Sequence, residues 1–548
     1  MQLLIITTNY LEMIKRLILL ILGLFVFKGT VLAWSAANYP PDNIYVQFTT
    51  TNLPIVWIEV NNQTIDRENR ITARMKIIHN GDGRLNYADT ILRPNQHIDY
   101  QGYIALRYRG NTTFTLSDKK PYSFRTLDGP LESGGNKQKV EILGMGKDNN
   151  WALLAPYSDK SMIRDMLAFE LARPWMEYTP DGRYCELFLD GIYYGVYILS
   201  EVVSGGKKRI NLSDPGESGD ELTGGYIMEV DRDDEVTYRS KYHPLSNTGA
   251  TYRYKYILFQ FKEPDYEDLT QNQYDYITWR IDQAESALWN YEVGGPANYE
   301  QFFDVTNFID YQLSMELGHN VDGYRLSGKF FKRRDSEDPR FKMVLWDMNL
   351  AYGNSNYYQG RYTNTWMYNN NNVLYALADP FLIPFWWYRL NSNPDYTAAV
   401  KSRWAQYRRS NLRDDRLMAT IDSLTNLLTS HGAERRNSIA WPRWGRYVWP
   451  NYYIAENYQD EINYLKQWIT ERIAWMDEQL EYDPSSYLPG DVDGDGSVNI
   501  YDVTALVDYL LKTNPDNINT DNADCDDDGH INIYDLTTLI DYLLKGHW

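Results

Sequence analysis

The hydrophobic and polar positions divide the chain into a strand-like first part and a helix-like second part. From residue 43 to about 265, apolar residues alternate with polar ones in short runs such as LPIVWIEV, YIALRYRG, YCELFLDGIYYGVYILSEVV and GGYIMEVDR. A period of two bounded by Gly, Asn and Asp predicts strands and turns. The runs CELFLD and IYYGVYIL, meeting at Asp190-Gly191, predict a hairpin. One helix interrupts them, from about Lys160 to Ala172, with Ser158 or Asp159 as its cap. Residues 270–320 and 396–480 carry helical spacing. Thr306 is placed to cap NFIDYQLSMEL, which stops at Gly318, and an amphipathic helix is expected over about Asp460–Leu480. Strands first and helices later predict an α+β domain in two lobes.

Both ends of the chain depart from this plan. Lys15 and Arg16 precede an apolar run, Leu17–Phe27, and Val31-Leu32-Ala33 offers a small-residue cleavage site. This is the layout of a signal peptide, with Met1 or Met13 as the start, and the run is too short to span a bilayer comfortably. With residues 1–33 removed, the mature chain is expected to have no membrane span and to lie outside the cytoplasm, extracellular, on the cell surface or in the periplasm. The main domain then covers 34–480, a proline-bounded linker 481–489, and a small all-α calcium-binding domain 490–548.

That last domain is read from ligand spacing. Calcium takes six to eight oxygens, and a twelve-residue loop presents them at positions 1, 3, 5, 7, 9 and 12 around a glycine at 6. DVDGDGSVNIYD supplies Asp491, Asp493, Asp495, the Ser497 carbonyl, Asn499 and Asp502 around Gly496. DCDDDGHINIYD supplies Asp524, Asp526, Asp528, the His530 carbonyl, Asn532 and Asp535 around Gly529. Two Ca2+ sites are therefore expected, each running into an amphipathic helix and neither preceded by one. The Asp at position 12 and the missing entering helix make this segment resemble a type I dockerin. The resemblance implies a calcium-dependent docking module for a cohesin-like partner. Loop positions 10 and 11, which carry partner choice in that family, are Ile500-Tyr501 and Ile533-Tyr534; packing of these apolar pairs on the main domain is the intramolecular alternative.

Charge sharpens this reading. From Asp483 to the end there are 14 Asp and 2 Lys, so −12 of the net −20 sits in the tail. An acidic chain of this kind attracts cations and argues against nucleic acid as a partner. The two cysteines, Cys185 and Cys525, lie in different segments and do not suggest a disulfide framework. Aromatics reach 15%, with 47 Tyr, which fits either a sugar-gripping surface or a tyrosine-rich core.

The chemistry of the main domain centres on NVDGYRLSGKFFKRRDSEDPRFKMVLWDMNLAYGN. A helix ends at Gly318, a loop presents Asp322, and two strands, GKFFKR and FKMVLW, lead to Asp347. The hairpin brings Asp347 back toward Asp322. Protein kinases place a loop Asp before such a hairpin and a magnesium-binding Asp after it. No Walker A sequence and no G-x-G-x-x-G loop is present, which excludes an ordinary kinase. LRYRGNTTF, KKPYSFRT, ILGMGKDNNWALLAPYSDKSMIRDMLAFELAR, CELFLDGIYYGVYILSEVV, GGYIMEVD and the Asp322–Asp347 segment occur in that order over roughly 50–480. Together they resemble the CotH family, the spore-coat protein H kinases. The resemblance implies an atypical protein-kinase-like fold that moves the γ-phosphate of ATP, with Mg2+ or Mn2+, onto Ser or Thr of a secreted protein acceptor.

Carried onto this chain, Asp347 takes the metal and Asp322 the catalytic-loop role. Ser327 stands where a kinase loop has a metal-binding Asn, and Asn349 is the substitute. Lys119 and Lys120 are candidates for gripping phosphates, Glu201 for pairing with such a lysine, and Trp346 for walling the pocket. Arg107 and Arg109 read as structural; Asp159, Lys160 and Arg164 read either way. A non-catalytic pseudokinase scaffold and a carbohydrate-active enzyme built on the same two carboxylates are the competing functions.

Overall fold

The computed structural model describes residues 43–484, 487–511, 518–526 and 528–546. The expected signal segment, residues 1–33, lies outside them. Strands fill the first part of the chain, as the alternation predicts. β1 (Thr50–Thr51) pairs with β4 (Asn86–Tyr87) in a small ribbon, with β2 (Ile55–Glu59) and β3 (Ile71–Ile78) between them in sequence. β5 (Ile98–Tyr108), β6 (Tyr122–Leu127), β7 (Asn150–Leu154), β8 (Gly182–Leu189) and β9 (Ile192–Glu201) follow. Seven of these strands close into a barrel in the order β2-β3-β5-β6-β7-β9-β8. Its seam is the parallel pair β2–β8, Ile55 opposite Glu186. Closure leaves the barrel with no open edge. Ile104, Leu106, Phe124, Trp151, Leu153, Tyr197 and Leu199 belong to its core.

The β8–β9 hairpin forms where expected. Asp190 and Gly191 both take positive φ, 46° and 80°, as a two-residue turn matched to strand twist requires. The Asp190 carboxylate also accepts the backbone amides of Val60 at 2.8 Å and Asn62 at 3.1 Å, tying the turn to the end of β2.

The interrupting helix is shorter than its pattern suggests, running Arg164–Ala172. Asp159 accepts the amides of Ser161 at 3.1 Å and Arg164 at 2.9 Å, and Met162 sits at φ 63°. The chain therefore makes a local polar turn before helical geometry begins, and Asp159 organises that turn instead of capping the helix.

A second, larger core lies around a five-stranded antiparallel sheet, β10 (Tyr226–Val230), β11 (Tyr238–Arg239), β12 (Leu258–Glu263), β13 (Gly328–Lys332) and β14 (Phe341–Val344), in the order β11-β12-β10-β13-β14. Helices Gln271–Trp289, Val305–Gly318, Phe385–Asn391, Pro394–Arg409, Asp414–Thr429 and Tyr458–Gln479 contribute buried side chains to it. Asp304 caps the second of these by accepting the Asn307 amide at 3.1 Å; Thr306 lies inside the helix. Tyr226, Tyr299, Tyr311, Tyr324 and Tyr352 are fully buried here, as are Tyr122 and Tyr197 in the barrel, so much of the tyrosine content is core.

Two buried ionic knots fix this body. Arg164 contacts Asp159 at 2.6 Å and Glu461 at 2.8 Å, and its Nε donates to the Ala351 carbonyl at 3.1 Å. Arg472 donates through Nε to the Glu316 carbonyl at 2.8 Å and through Nη2 to its carboxylate at 3.1 Å. Glu316 also accepts the amides of Met367 at 2.9 Å and Tyr368 at 2.8 Å. The end of helix Val305–Gly318 is thus pinned just before the chain turns at His319, φ 47°, toward Asp322.

Both members of the Arg472–Glu316 pair are 0% exposed, so removing one strands a buried charge. Arg472→Met is expected to cost about 3–5 kcal/mol of stability, read by denaturant unfolding. Arg472→Met with Glu316→Gln should recover much of that loss. A single variant as stable as the parent would show that the pair does not hold this junction.

Candidate active site and calcium loops

Asp322 and Asp347 come together as the hairpin geometry requires. Asp347 follows β14 and sits at φ 57°, a left-handed step that turns the chain sharply after Trp346. Asn320 links the two loops. Its Oδ1 accepts the Asp322 amide at 3.2 Å, and its Nδ2 donates to the Asp347 carbonyl at 3.0 Å. Asp347 is solvent-exposed, yet protein surrounds it. Lost water, then the charge of Asp322, raises its carboxyl above the usual range; Arg109, the Asn349 amide and Lys329 oppose the rise. Asn349 donates Nδ2 to Asp347 Oδ1, so the two side chains lie side by side.

Asp322 is held by Arg325, whose Nη2 lies 2.8 Å from Asp322 Oδ1 while Nη1 lies 3.0 Å from Asp379 Oδ1. The Arg325 Nε donates to the Val321 carbonyl at 3.0 Å, and the guanidinium stacks 5.1 Å from the Tyr358 ring. Asp165, on helix Arg164–Ala172, accepts the Met348 amide at 2.7 Å. Burial, then the Asp347 and Asp159 charges, push the Asp165 carboxyl up to about 8. On the barrel side Trp346 lies beneath Arg109, 5.4 Å from guanidinium carbon to ring centre. Glu229 on β10 pairs with Lys329 on β13 and, at 3.0 Å, with Lys262 on β12.

Two of the residues singled out from sequence stand elsewhere, and so does Lys119. Lys119 is 0% exposed; its ammonium meets the Val196 carbonyl, Asn437 Oδ1 at 2.8 Å and the Tyr197 ring at 4.6 Å. It fastens helix Ala433–Ala440 to β9, and burial lowers its pKa strongly. Lys120 donates to the carbonyls of Phe114 at 2.6 Å and Ser117 at 2.5 Å, closing the loop that contains helix Thr112–Leu116. Glu201 pairs with neither lysine. It accepts the Gly146 amide at 2.9 Å and the Tyr178 hydroxyl at 3.0 Å, lies 3.6 Å from Arg209, and lines a separate polar cavity of about 250 Å³ with Asp181 and Lys208. Arg109, Asp165, Asn320 and Arg325 were not singled out for the site. Arg325 stands three residues after Asp322, and Asp165 interrupts the apolar run MIRDMLAF, an acid where core is expected.

In the tail, Asp491, Asp493 and Asp502 place carboxylate oxygens within 4.8 Å of one another, as do Asp524, Asp526 and Asp528. Gly496 and Gly529 turn at φ 86° and 83°. Backbone amides point at the carboxylates: Gly496 to Asp491 at 3.2 Å, Ser497 to Asp495 at 2.8 Å, Gly529 to Asp524 at 2.9 Å and His530 to Asp528 at 2.8 Å. Asp502 and Asp535 are fully buried; each accepts the amide of the Asn at loop position 9, at 2.7 Å, and that Asn caps the following helix. The Ser497 and His530 carbonyls accept from the side chains of Asn499 at 3.4 Å and Asn532 at 3.1 Å. The hard all-oxygen donor set fits Ca2+. One expectation changes: a single helical turn, Thr520–Ala523, precedes the second loop. Ile500, Tyr501, Ile533 and Tyr534 remain 64%, 69%, 58% and 66% exposed, so the apolar pairs do not pack on the main domain.

A barrel-and-helix domain that holds the loops of Asp322 and Asp347 together, followed by a duplicated calcium-loop module, defines a modular protein with a calcium-binding tail. The chain belongs to the CotH kinase protein family, whose model matches residues 106–476, and residues 489–544 match the Dockerin type I domain. No curated protein matches the chain.

Calcium titration of the full chain by calorimetry is expected to give two sites, because the clustered carboxylates repel until a cation arrives. Asp491→Ala should reduce the stoichiometry to one. Two sites persisting in that variant would remove Asp491 from the ligand set.

Proposed function

We propose that the protein is an exported atypical kinase that transfers the γ-phosphate of ATP to Ser or Thr hydroxyls of extracytoplasmic proteins, and that its calcium-loaded tail tethers it to a cohesin-like partner. The observation that carries this reading is the Asn320 bridge, which keeps the loops of Asp322 and Asp347 at one place. The barrel and the helical body act as two lobes around the cleft.

Asp322 orients the acceptor hydroxyl and takes its proton. The acceptor oxygen bonds to the γ-phosphorus as the bond to the β–γ bridging oxygen breaks, and ADP leaves. Arg325 keeps Asp322 in place during approach. Asp347 and the carboxamide oxygen of Asn349 are the residues that would hold Mg2+ or Mn2+, hard oxygen donors of the kind such a cation takes. A metal there neutralises charge on the phosphate oxygens. Tyr357, half-buried near both aspartates, keeps its hydroxyl protonated, because lost water and then the Asp322 charge raise its pKa. In the tail, the exposed pairs Ile500-Tyr501 and Ile533-Tyr534 are the surface offered to a cohesin-like partner.

A second reading, a non-catalytic scaffold, is favoured by Ser327, which occupies the metal-binding Asn position at φ 54°. Incubation with γ-labelled ATP and Mn2+ separates the two. Transfer should fall about 10²–10⁴-fold in Asp322→Asn, the scale of a lost general base, and Asp347→Asn should abolish it. Labelling of Asp347→Asn equal to the parent sinks the kinase reading, and ATP binding without transfer favours the scaffold.

A further inference from the structure

A triphosphate carries several negative charges toward Asp322 and Asp347, so a cation must meet it there. The sequence candidates do not serve, because Lys119 and Lys120 are spent on backbone carbonyls. The cations around the cleft are mostly committed too. Lys329 and Lys262 both pair with Glu229, and Arg325 is filled by Asp322, Asp379 and the carbonyls of Val321 and Phe381.

Arg109 differs from all of these. It leaves β5 just before Gly110, its amide donates to the Pro121 carbonyl at 3.1 Å, and its guanidinium carbon stands 5.4 Å from the centre of the Trp346 ring. Its Nη1 is buried with no hydrogen-bond partner. Asp347, Asp165 and Glu229 act on it electrostatically, in that order, yet among the described residues none lies within ion-pair distance. Asp165 instead gives an oxygen to the Met348 amide, which holds it to the loop after Asp347. A buried guanidinium nitrogen without a partner is costly, and a planar fork of donors matches phosphate oxygens. Gly110, at φ 80°, lets the chain turn sharply after Arg109: a Cβ there would stand 2.3 Å from Thr113 Oγ1.

The geometry points to Arg109 as the phosphate-gripping residue of this cleft, taking the place a strand lysine holds in ordinary kinases, with Trp346 as its platform. This assignment rests on the nucleotide reading above. Arg109 donates to phosphate oxygens from the barrel side while Asp347 addresses the same phosphates from the opposite wall. The Trp346 ring braces the guanidinium from one side before the nucleotide arrives. Asp165 is a positioning residue: it occupies the Met348 amide and leaves Arg109 its free face.

The test is equilibrium binding to the full chain, by calorimetry, of ATP, ADP, AMP and adenosine with Mn2+, for the parent, Arg109→Ala, Arg109→Lys and Asp347→Asn. Adenosine, which has no phosphate, is the reference, and thermal melts confirm that each variant is folded. In the parent, affinity should climb from adenosine to ATP. Arg109→Ala should weaken ATP at least about tenfold, the scale of one lost charge-assisted contact, and so flatten that climb; Arg109→Lys should recover part of it. Should Arg109→Ala misfold, the same flattening is sought in Arg109→Lys alone, where a point charge replaces the fork. A folded Arg109 variant that keeps the parent's ATP-to-adenosine ratio, while Asp347→Asn loses Mn2+-dependent binding, overturns this role and leaves the kinase reading standing. A parent that binds no nucleotide overturns both.

Discussion

Asp322 and Asp347 each feel the other's charge, and the arrangement around them holds both loops in place against that repulsion. Asn320 does the joining with a neutral group, one amide touching both loops. A lysine in that position would neutralise the pair and remove the site's attraction for a divalent ion. A neutral linker fixes distance and leaves the charge in place. The rise in the Asp347 pKa is the residual strain of that choice, caused by lost water and by Asp322. Arg325 acts on the other partner, tying Asp322 to Asp379 through one guanidinium.

Such a junction needs rigid supports, and the body supplies them as buried ion pairs. Arg472 and Glu316 stop helix Val305–Gly318 at the point where the Asp322 loop begins. Arg164 reaches from its own helix to the Ala351 carbonyl, four residues past Asp347, and to Glu461 on the last helix. The neighbouring Asp165 takes the Met348 amide. One helical turn of the chain thus holds the loop after Asp347 through two side chains. Buried ion pairs add little net stability compared with apolar packing, but each permits one geometry only. Here that geometry is the one the cleft needs.

The legible parts of this molecule were local in sequence. The barrel strands, the Asp190-Gly191 turn, the hairpin before Asp347 and the tail loops each announce themselves within a dozen residues, because a period of two or a ligand spacing is a local property. The Arg109 site was not legible, since Arg109 and Asp347 are brought together by packing of the barrel on the body. Lys119 misled for a related reason. A lysine on a strand reads as solvated or as anion-binding, yet Gly195, at φ 91°, opens a notch in β9 that admits Asn437, and Lys119 is drawn inside to meet it. The helix expected from Lys160 began later because Asp159 spends its oxygens on the next amides, a competition that hydrophobic spacing does not register.

The cleft and the tail face one physical problem with different solutions. Each tail loop folds its carboxylates around a point, and backbone amides from Gly496, Ser497, Gly529 and His530 share the negative charge before any ion binds. Nearly the full ligand set comes from the protein, which suits calcium, a cation that accepts many oxygens in a flexible shell. The cleft supplies few oxygens, on two loops from different parts of the chain, and leaves the rest of the shell open. That suits a smaller cation which keeps water and phosphate as ligands. A closed cage holds a structural ion permanently, whereas an open one binds its metal together with a second anionic ligand. The difference in ligand completeness distinguishes the two acidic sites of one chain, and on the proposed reading it places the demand for a fixed cation such as Arg109 beside Asp347.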